Sequence, residues 1–348
     1  MKRILLALLA LALAPIFVPS LAAPAKAQDK LVVSIWGGSW RDLIAETVAK
    51  KFTAETGVAV EFITGGTIDR LNKEKLAKGS PESDITFTTS HVGWLYANDG
   101  LFEQLDLSKI ANAANLANEA RISPFHLGAW AYVYTIGYRA DLLANAKFES
   151  WEDLWKPEYK GKVGITNLNS TLGTGFLVEI ARMHGGSEAN VEPGFKAIEA
   201  LKPSISAVAS NPGQLATLFQ QGQIDISPGN FNAIQIMKAR GVAVEFVAPK
   251  EKAIAFKTTI HIVKNTGAKD LAFALIEAAL SPDVQAKLME SPYLIVPTNT
   301  KVKMGGEIAK TLAKDHADMK NKFVFQDWKK INEQRSAWIE RFNREIKV

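Results

Sequence analysis

The sequence predicts an α/β protein built from two lobes. Short β-branched runs alternate with amphipathic stretches that end at glycine, which is typical of an open sheet covered by helices on both faces. The chain has 348 residues, more than one ordinary hydrophobic core needs. A continuous apolar and aromatic run at 130–138 indicates a buried strand where the chain crosses between the lobes.

Residues 1–27 have the pattern of a secretory signal peptide. A basic start at 1–3 precedes a mostly apolar stretch, and residues 25–27 read Ala-Lys-Ala, an A-x-A cleavage site. Two prolines interrupt the apolar stretch, which argues against a permanent membrane anchor. We therefore expect cleavage after Ala27 and export into a bacterial periplasm.

Charge and cysteine content exclude several classes of function. The formal net charge of the whole chain is +5, and three of these charges, on Lys2, Arg3 and Lys26, leave with the signal peptide. A nucleic-acid-binding protein would need a much larger basic excess concentrated in a stripe. The chain contains no cysteine, which excludes disulfides and thiolate chemistry.

The first βα unit combines a glycine turn with two tryptophans. Residues 31–35 form a β-branched run, 36–40 read Trp-Gly-Gly-Ser-Trp, and an amphipathic helix then extends to Gly57. A strand, a glycine turn and a helix in this order bring backbone N–H groups to a ligand in many α/β proteins. We expect Trp40 to form an aromatic wall of a ligand site and Trp36 to lie in the core.

The rest of the chain continues the alternation. Further strands are predicted at 58–63, 83–91, 130–138, 163–166, 205–207, 225–227, 244–247 and 256–263. Further helices are predicted at 68–78, 92–98, 171–184, 192–201, 212–221, 233–240, 271–280, 282–289 and 329–346. Ser150 is a helix N-cap with Asp153 at the capping-box position.

Hydrogen-bonding and aromatic groups follow several of the predicted strands. The candidate ligand-binding residues at these strand ends are Gly38, Ser39, Trp40, Thr89, Ser90, His91, Asn167, Asn169, Ser170, Thr171, Asn230 and Asn232. Ligands of open α/β sheets bind outside the carboxyl ends of the strands. Each of these residues taken alone suits ordinary helix capping. Four such groups at strand ends in two lobes predict a ligand in the cleft between the lobes.

Signatures of catalysis are missing from the sequence. It has no G-x-S-x-G elbow, no H-E-x-x-H, no P-loop and no G-x-G-x-x-G. The histidines are scattered and give no metal-ligand pair at i, i+4: His91, His126, His184, His261 and His316. We expect no catalytic residues, no metal and no cofactor, and an enzyme is the weaker hypothesis.

Several motifs resemble those of one protein family. Residues 150–162 read SWEDLWKPEYKGK, close to the S-W-x-D-L-W-x-P-x-Y-K-G of the polyamine-binding (spermidine/putrescine) group. Residues 52–57 (FTAETG), 281–285 (SPDVQ) and 297–299 (PTN) are similar to common pieces of the wider superfamily. The chain, over nearly all of its length after the signal peptide, resembles bacterial extracellular solute-binding proteins of family 1, the periplasmic receptors of ABC importers.

The resemblance implies a two-lobed periplasmic-binding-protein fold of type II, with the ligand cleft between lobes joined by crossover strands. Lobe 1 should comprise 28–134 plus about 251–305, lobe 2 should comprise 135–250, and helices within 306–348 should pack across both. The resemblance also implies a monomer that closes on a small-molecule solute by hinge motion and is recognised by membrane permease subunits.

The acidic residues that polyamine binders use are absent from the matching positions. The family's D-D-x-x-E-type segment matches 167–171 (NLNST), its W-N-G lies near 229–231 (GNF), and its W-x-D matches 256–258 (FKT). Phe256 and Thr258 therefore join the candidate site as an aromatic and a hydroxyl. Lys257, and His91 or His261, could add positive charge.

These departures favour a neutral, zwitterionic or anionic small organic solute, because a buried ammonium without a carboxylate partner is costly. The alternative within the family is a putrescine or spermidine binder. An alternative from another class is an exported enzyme on the same fold. Iron-binding relatives use adjacent tyrosines, whereas Tyr132, Tyr134 and Tyr138 are separated along one strand.

Overall fold

The computed structural model describes residues 30–77 and 79–346. The predicted signal peptide lies outside these residues. Within the described ranges, no helix combines the length and the apolar character that crossing a bilayer requires.

A mixed sheet of 12 strands forms the centre of the molecule. Its strands are β1 (Lys30–Ile35), β2 (Ala59–Thr64), β3 (Ile85–Thr89), β4 (Arg121–Ser123), β5 (His126–Arg139), β6 (Val163–Thr166), β7 (Ile205–Ala209), β8 (Ile226–Asn230), β9 (Val244–Val247), β10 (Ala253–Ile262), β11 (Val296–Pro297) and β12 (Phe323–Val324).

Helices connect most of these strands. They are α1 (Ser39–Ile44), α2 (Lys50–Thr56), α3 (Thr67–Leu76), α4 (Ser90–Asn98), α5 (Thr171–Met183), α6 (Glu192–Leu201), α7 (Pro212–Gln220), α8 (Phe231–Ala239), α9 (Lys269–Leu280), α10 (Pro282–Met289), α11 (Gly306–Thr311), α12 (Met319–Lys322) and α13 (Trp328–Glu345). A π-helical turn, Ala45–Ala49, joins α1 to α2, and the combined helix ends at Gly57 in the left-handed conformation.

The strand order places two long strands in the middle of the sheet. The order is β2-β1-β3-β10-β5-β8-β6-β7, with β1 parallel to β2 and β3, and β6 parallel to β7 and β8. Strands β5 and β10 pair with each other and are antiparallel to their other neighbours on this path. The two parallel groups are therefore joined through a pair of long crossing strands.

Each parallel group has its own hydrophobic core. One core includes β1, β3 and α9 and takes Trp130 from β5 and Ile260 from β10. The other includes β6, α5, α6 and α13 and takes Tyr132 from β5 and Phe256 from β10. Because both strands change core within a few residues, the lobes are joined by the sheet and not by a flexible linker.

The predicted elements are largely confirmed, with shifts at their ends. The capping box at Ser150 is present, although the helix that it starts is a short 3₁₀ helix, Trp151–Trp155. The third strand ends at Thr89 because α4 already begins at Ser90. Strand β8 runs through Asn230, so this residue belongs to the sheet.

Helix α13 is hydrogen-bonded to both lobes. Asn332 Nδ2 donates to the carbonyl oxygen of His91, at the start of α4, over 2.7 Å. Arg335 donates to the carbonyl oxygens of Leu168 and Asn169, before α5, over 2.7 and 2.8 Å. It also donates to Thr174 Oγ1 over 3.1 Å. The helix therefore spans the junction between the two cores.

Candidate functional site

A cavity of about 600 Å³ lies between the two lobes. The carboxyl ends of β1, β3, β6 and β8 and the middle of β5 and β10 contribute to its lining. This is the position at which open α/β sheets bind ligands, and the volume is that of a small-molecule site.

Lobe 1 contributes an aromatic wall. Trp36, Trp40, Leu43 and Tyr293 line this side of the cavity. The rings of Trp36 and Trp40 are 5.9 Å apart between centroids, and Trp40 meets the edge of Tyr132 at 6.4 Å. These rings supply a broad and rigid apolar surface.

The prediction that Trp36 lies in the core is wrong. Strand β1 ends at Ile35, so Trp36 already belongs to the turn, and its ring is half-buried on the cavity wall. Its indole Nε1 donates to Thr67 Oγ1 over 2.6 Å, and the Arg70 guanidinium carbon lies 5.3 Å from the ring centroid. These contacts fix the ring beside Trp40.

Gly37 and Gly38, which follow Trp36, lead into the helix and are not among the described residues that line the cavity. Gly38 precedes α1 with φ 64°, a left-handed conformation that favours glycine, and it is exposed. Ser39 is the first residue of α1, and its side chain is outside the described part of the structure. Together they turn the chain so that Trp40 faces the cavity.

The floor of the cavity comes from the sheet. Thr89, Tyr132 and Thr258 line it, and Thr258 is paired with Thr89 across β3 and β10. Burial raises the pKa of Tyr132. Phe256 is only 1% exposed and stacks on Tyr132 at 5.3 Å, so it supports the floor from below and does not line the cavity.

Lobe 2 presents the start of α5. Ser170, Thr171 and Leu172 line the cavity, and the Ser170 hydroxyl accepts a hydrogen bond from the Leu172 N–H over 3.2 Å. A Cβ on Gly173 would lie 2.2 Å from the carbonyl oxygen of Asn167, so glycine is required for this end of α5 to approach the end of β6. The helix N-terminus favours negative charge.

His91 connects the two lobes behind the cavity. Its Nδ1 is 2.7 Å from Thr89 Oγ1 and 3.0 Å from Thr171 Oγ1, and both hydroxyls belong to residues that line the cavity. Burial, and secondarily the charge of Arg335, hold the pKa of His91 well below its ordinary value. A neutral His91 therefore orients two cavity hydroxyls without adding charge.

Two helices of lobe 2 extend the cavity into a groove. Helix α7 contributes Gly213, Ala216, Thr217 and Gln220, and α8 contributes Ala233, Ile236, Met237 and Arg240, the residue that caps its C-terminus. Both sets have the i, i+3, i+4, i+7 spacing of one helical face. The groove is therefore formed by two neighbouring helical faces.

Three polar atoms at the cavity lack hydrogen-bond partners among the described residues. They are Asn230 Oδ1, Asn232 Oδ1 and Thr258 Oγ1, on residues that line the cavity. Thr258 is 1% exposed and Asn230 is 8% exposed. Buried polar groups in native proteins are normally paired, so these three atoms are candidates for hydrogen bonds with a bound molecule.

The charge of the cavity is small and positive. Among the described residues that line it there is no aspartate or glutamate, and Arg240 is the only charged side chain. The described residues also contain no group of three His, Asp or Glu placed to hold a metal ion.

Seven of the sequence-predicted site residues line the cavity, namely Trp40, Thr89, Ser170, Thr171, Asn230, Asn232 and Thr258. Ser90 and His91 lie at the start of α4, and Asn167 and Asn169 form the turn before α5. Which of these residues bind a solute stays a prediction.

The two charged candidates on β10 point away from the cavity lining. Lys257 Nζ lies 4.9 Å from the centroid of the Phe325 ring, and burial lowers the pKa of Lys257 to about 8. His261 is stacked on Phe102 at 3.8 Å and on His126 at 5.0 Å. Neither is among the lining residues.

Sequence reasoning missed Tyr132, Tyr293 and the whole groove between α7 and α8. The groove had a detectable signal. In α7 the apolar Leu215, Leu218 and Phe219 form the buried face, which leaves small and polar residues on the opposite face.

Comparisons with known proteins identify similar chains. A family model described as bacterial extracellular solute-binding protein matches residues 47–320. An ABC transporter structure from Clostridium perfringens superposes with a TM-score of 0.77 at 31% identity, and the match covers 91% of this chain and 100% of that chain.

Two similar relatives are named for polyamines. The spermidine/putrescine-binding periplasmic protein of Escherichia coli is 24% identical over 297 residues, which cover 81% of this chain and 84% of the relative. A putrescine-binding periplasmic protein of Pseudomonas aeruginosa is 27% identical over 317 residues, which cover 83% of each chain.

Proposed function

The chain belongs to the bacterial extracellular solute-binding protein family, and on this premise we propose that it is the periplasmic receptor of an ABC importer. It captures a small polar organic solute between its lobes, closes by hinge motion and delivers the solute to the permease subunits. The protein acts as a monomer after cleavage of the signal peptide, with lobe 1 at 28–134 and about 251–305 and lobe 2 at 135–250.

The proposed class of solute rests on one observation: the described lining residues include no carboxylate. An ammonium group that leaves water must be paired with an anion, and an unpaired buried charge costs several kcal/mol. The cleft offers instead an aromatic wall, threonine hydroxyls, amides and a helix N-terminus. We therefore favour a neutral, zwitterionic or anionic solute.

The hydroxyl and amide groups supply both kinds of hydrogen bond. The N-terminus of α5 offers backbone N–H groups to an oxygen of the solute. Asn230 Oδ1 and Thr258 Oγ1, which lack partners among the described residues, would accept hydrogen bonds from the solute. The same polar molecule would thus be held at both lobes, which provides the free energy that favours closure.

A polyamine is the alternative solute, and the names of the two polyamine-binding relatives support it. A direct titration separates the two possibilities. Spermidine added to solute-free protein in a calorimeter should give no binding in the micromolar range. Micromolar affinity for spermidine would contradict the proposed solute class and leave the receptor function intact.

The experiment that tests the receptor function begins with natively purified protein. Mild denaturation should release a bound solute that mass spectrometry identifies, and the same compound should rebind to refolded protein. Quantitative recovery of the unmodified compound after prolonged incubation supports a receptor. Formation of a product would instead favour an exported enzyme on the same fold.

A further inference from the structure

We propose that Arg240 is a specificity-determining residue that binds an anionic group at one end of an elongated solute, whose other end places a neutral hydrogen-bond donor at Asn230 and Thr258. This inference rests on the proposed receptor function and deepens it. It identifies the solute class as a small organic acid with an uncharged polar group separated from the acid by an apolar spacer.

The shape of the cavity supports an elongated solute. The groove between α7 and α8 leads from Asn230, where β8 ends, to Gln220 and Arg240 at the far ends of the two helices. With a rise of 1.5 Å per residue, Phe231 and Arg240 are about 14 Å apart along α8. An extended chain of several carbons fits this length once the arginine side chain reaches back towards it.

The lining of the groove changes character along its length. Between its polar ends, the groove is lined by small and apolar side chains, among them Ala216, Ala233, Ile236 and Met237. On the opposite side of the cavity stand Leu43 and the aromatic wall of lobe 1. This middle section would bury an apolar spacer away from water. It has no charged side chain to pair with a charged group in the spacer.

The guanidinium of Arg240 is available to a ligand. It forms no ion pair and no side-chain hydrogen bond with the described residues, whereas Lys238, on the same helix, is paired with Glu245. Arginine presents a planar fork of donors that matches a carboxylate. Since no lining carboxylate competes for it, the guanidinium would pair with an anionic group of the solute.

The opposite end of the cavity selects a neutral donor. Asn230 Oδ1 and Thr258 Oγ1 are buried and lack partners among the described residues, so a hydroxyl or amide N–H of the solute would satisfy them. An ammonium there would be left without a counter-ion. The two ends together favour a hydroxy acid over a diamine.

The test uses four six-carbon compounds that differ only in their end groups: 6-hydroxyhexanoate, adipate, hexane-1,6-diol and hexane-1,6-diamine. Each is titrated calorimetrically into solute-free wild-type protein, Arg240→Gln and Arg240→Lys. The control variant is Lys238→Gln, which removes an exposed positive charge from the same helix without touching the cavity.

We expect 6-hydroxyhexanoate to bind most tightly, with the diol at least tenfold weaker and the diamine weakest. Arg240→Gln should reduce the affinity for the two acids about tenfold and leave that for the diol unchanged. Arg240→Lys should restore part of the loss, and Lys238→Gln should bind as wild type does.

Three results would overturn the inference. These are a diol or diamine that binds as tightly as the acids, acids that bind equally to wild type and Arg240→Gln, or no binding by any of the four at millimolar concentration. In each case, recovery of an unmodified native solute from the protein would still support the receptor function. Conversion of a bound compound into product would overturn the receptor function itself.

Discussion

The two walls of the cleft differ in the kind of side chain that they present. The lobe 1 wall consists of large rings, Trp36 and Trp40, held near the end of one strand, with Tyr293 beside them. The lobe 2 wall consists of a helix N-terminus and two helical faces with small, amide and hydroxyl side chains, ending at Arg240. One wall offers apolar area, and the other offers directional hydrogen bonds and charge.

This difference separates affinity from selectivity. Aromatic surface stabilises many solutes by similar amounts, because burial of apolar area is not directional. Hydrogen-bonding groups discriminate between solutes, since a mismatched solute leaves them unpaired. We therefore expect changes in the lobe 1 wall to weaken all ligands together, and changes in the lobe 2 wall to alter which ligands bind.

The largest expected effect comes from Gly173→Ala, which disrupts the lobe 2 wall. The added methyl would meet the carbonyl oxygens of Asn167 and Thr166 at 2.2 and 2.4 Å, and backbone atoms cannot move aside without shifting α5. We expect a loss of about 3 kcal/mol or more in the free energy of unfolding, measured by urea denaturation.

Gly267→Ala is the matched control for this change. A Cβ at Gly267 would have no atom within 4 Å. The free energy of unfolding of the Gly267→Ala variant should therefore stay within about 0.5 kcal/mol of that of wild type. Equal stability of the two variants would show that α5 does not depend on the close approach at Gly173.

Trp40→Ala is the next largest change and removes part of the lobe 1 wall. We expect the affinity for the solute recovered from native protein to fall about thirtyfold, or about 2 kcal/mol, in a calorimetric titration. Trp40→Phe keeps a ring in this place and should recover most of the affinity. A solute that binds Trp40→Ala as well as wild type would exclude this ring from the site.

His91→Gln tests the point at which the two lobes touch. In the folded protein the pKa of His91 lies well below its ordinary value. As the pH falls, the unfolded chain therefore binds a proton at His91 before the folded chain does. Wild type should therefore lose stability relative to the variant as the pH falls below about 6.5, by about 1.4 kcal/mol per pH unit.

Urea denaturation of both proteins at pH 7.5, 6 and 5 measures this difference. Other titrating groups cancel in the comparison, including Glu179, whose pKa burial raises to about 7. Parallel stability curves for the two proteins would mean that His91 takes up its proton normally in the folded state.

Thr258→Val has the smallest expected effect and is specific to the floor of the cavity, to which β10 contributes this hydroxyl. Removal of a hydroxyl that lacks a partner among the described residues should leave the free protein as stable as before, or more stable by about 1 kcal/mol. The affinity for the solute should nevertheless fall, by about 1 kcal/mol.

The neighbouring Thr259→Val serves as the control. The Thr259 hydroxyl donates to the carbonyl oxygen of Thr88 over 3.2 Å and faces away from the cavity lining. This variant should lose stability and keep its affinity. The opposite pattern in the two variants would contradict the assignment of Thr258 to the solute.

Much of the fold was predictable because the local sequence patterns specify the same helices and strands that pack around the hydrophobic cores. The predicted two-lobed type II fold is confirmed by its similarity to solved structures. Three predicted features are present because they depend mainly on the local sequence. These are the helix end at Gly57, the capping box at Ser150 and the buried strand at 130–138. Strand ends were less predictable, since α4 starts at Ser90, inside the predicted strand at 83–91.

The candidate site was predictable only in part, because its lining depends on how side chains of neighbouring strands pack over one another. Phe256 and Thr258 are on the same face of β10, yet Tyr132 of the neighbouring strand covers Phe256 and leaves Thr258 open. No sequence spacing within one strand encodes this relation. The groove depends likewise on two helices lying side by side, which the hydrophobic pattern of each helix does not reveal.

Helix α13 restricts how the lobes can move. It holds the His91 carbonyl of one lobe and the Leu168 and Asn169 carbonyls of the other, on either side of the contact between His91 and Thr171. A motion that simply parts the lobes would stretch all of these hydrogen bonds together. A rotation about the axis of α13 would stretch them least, so we expect the entrance to the cleft to widen by rotation about this helix.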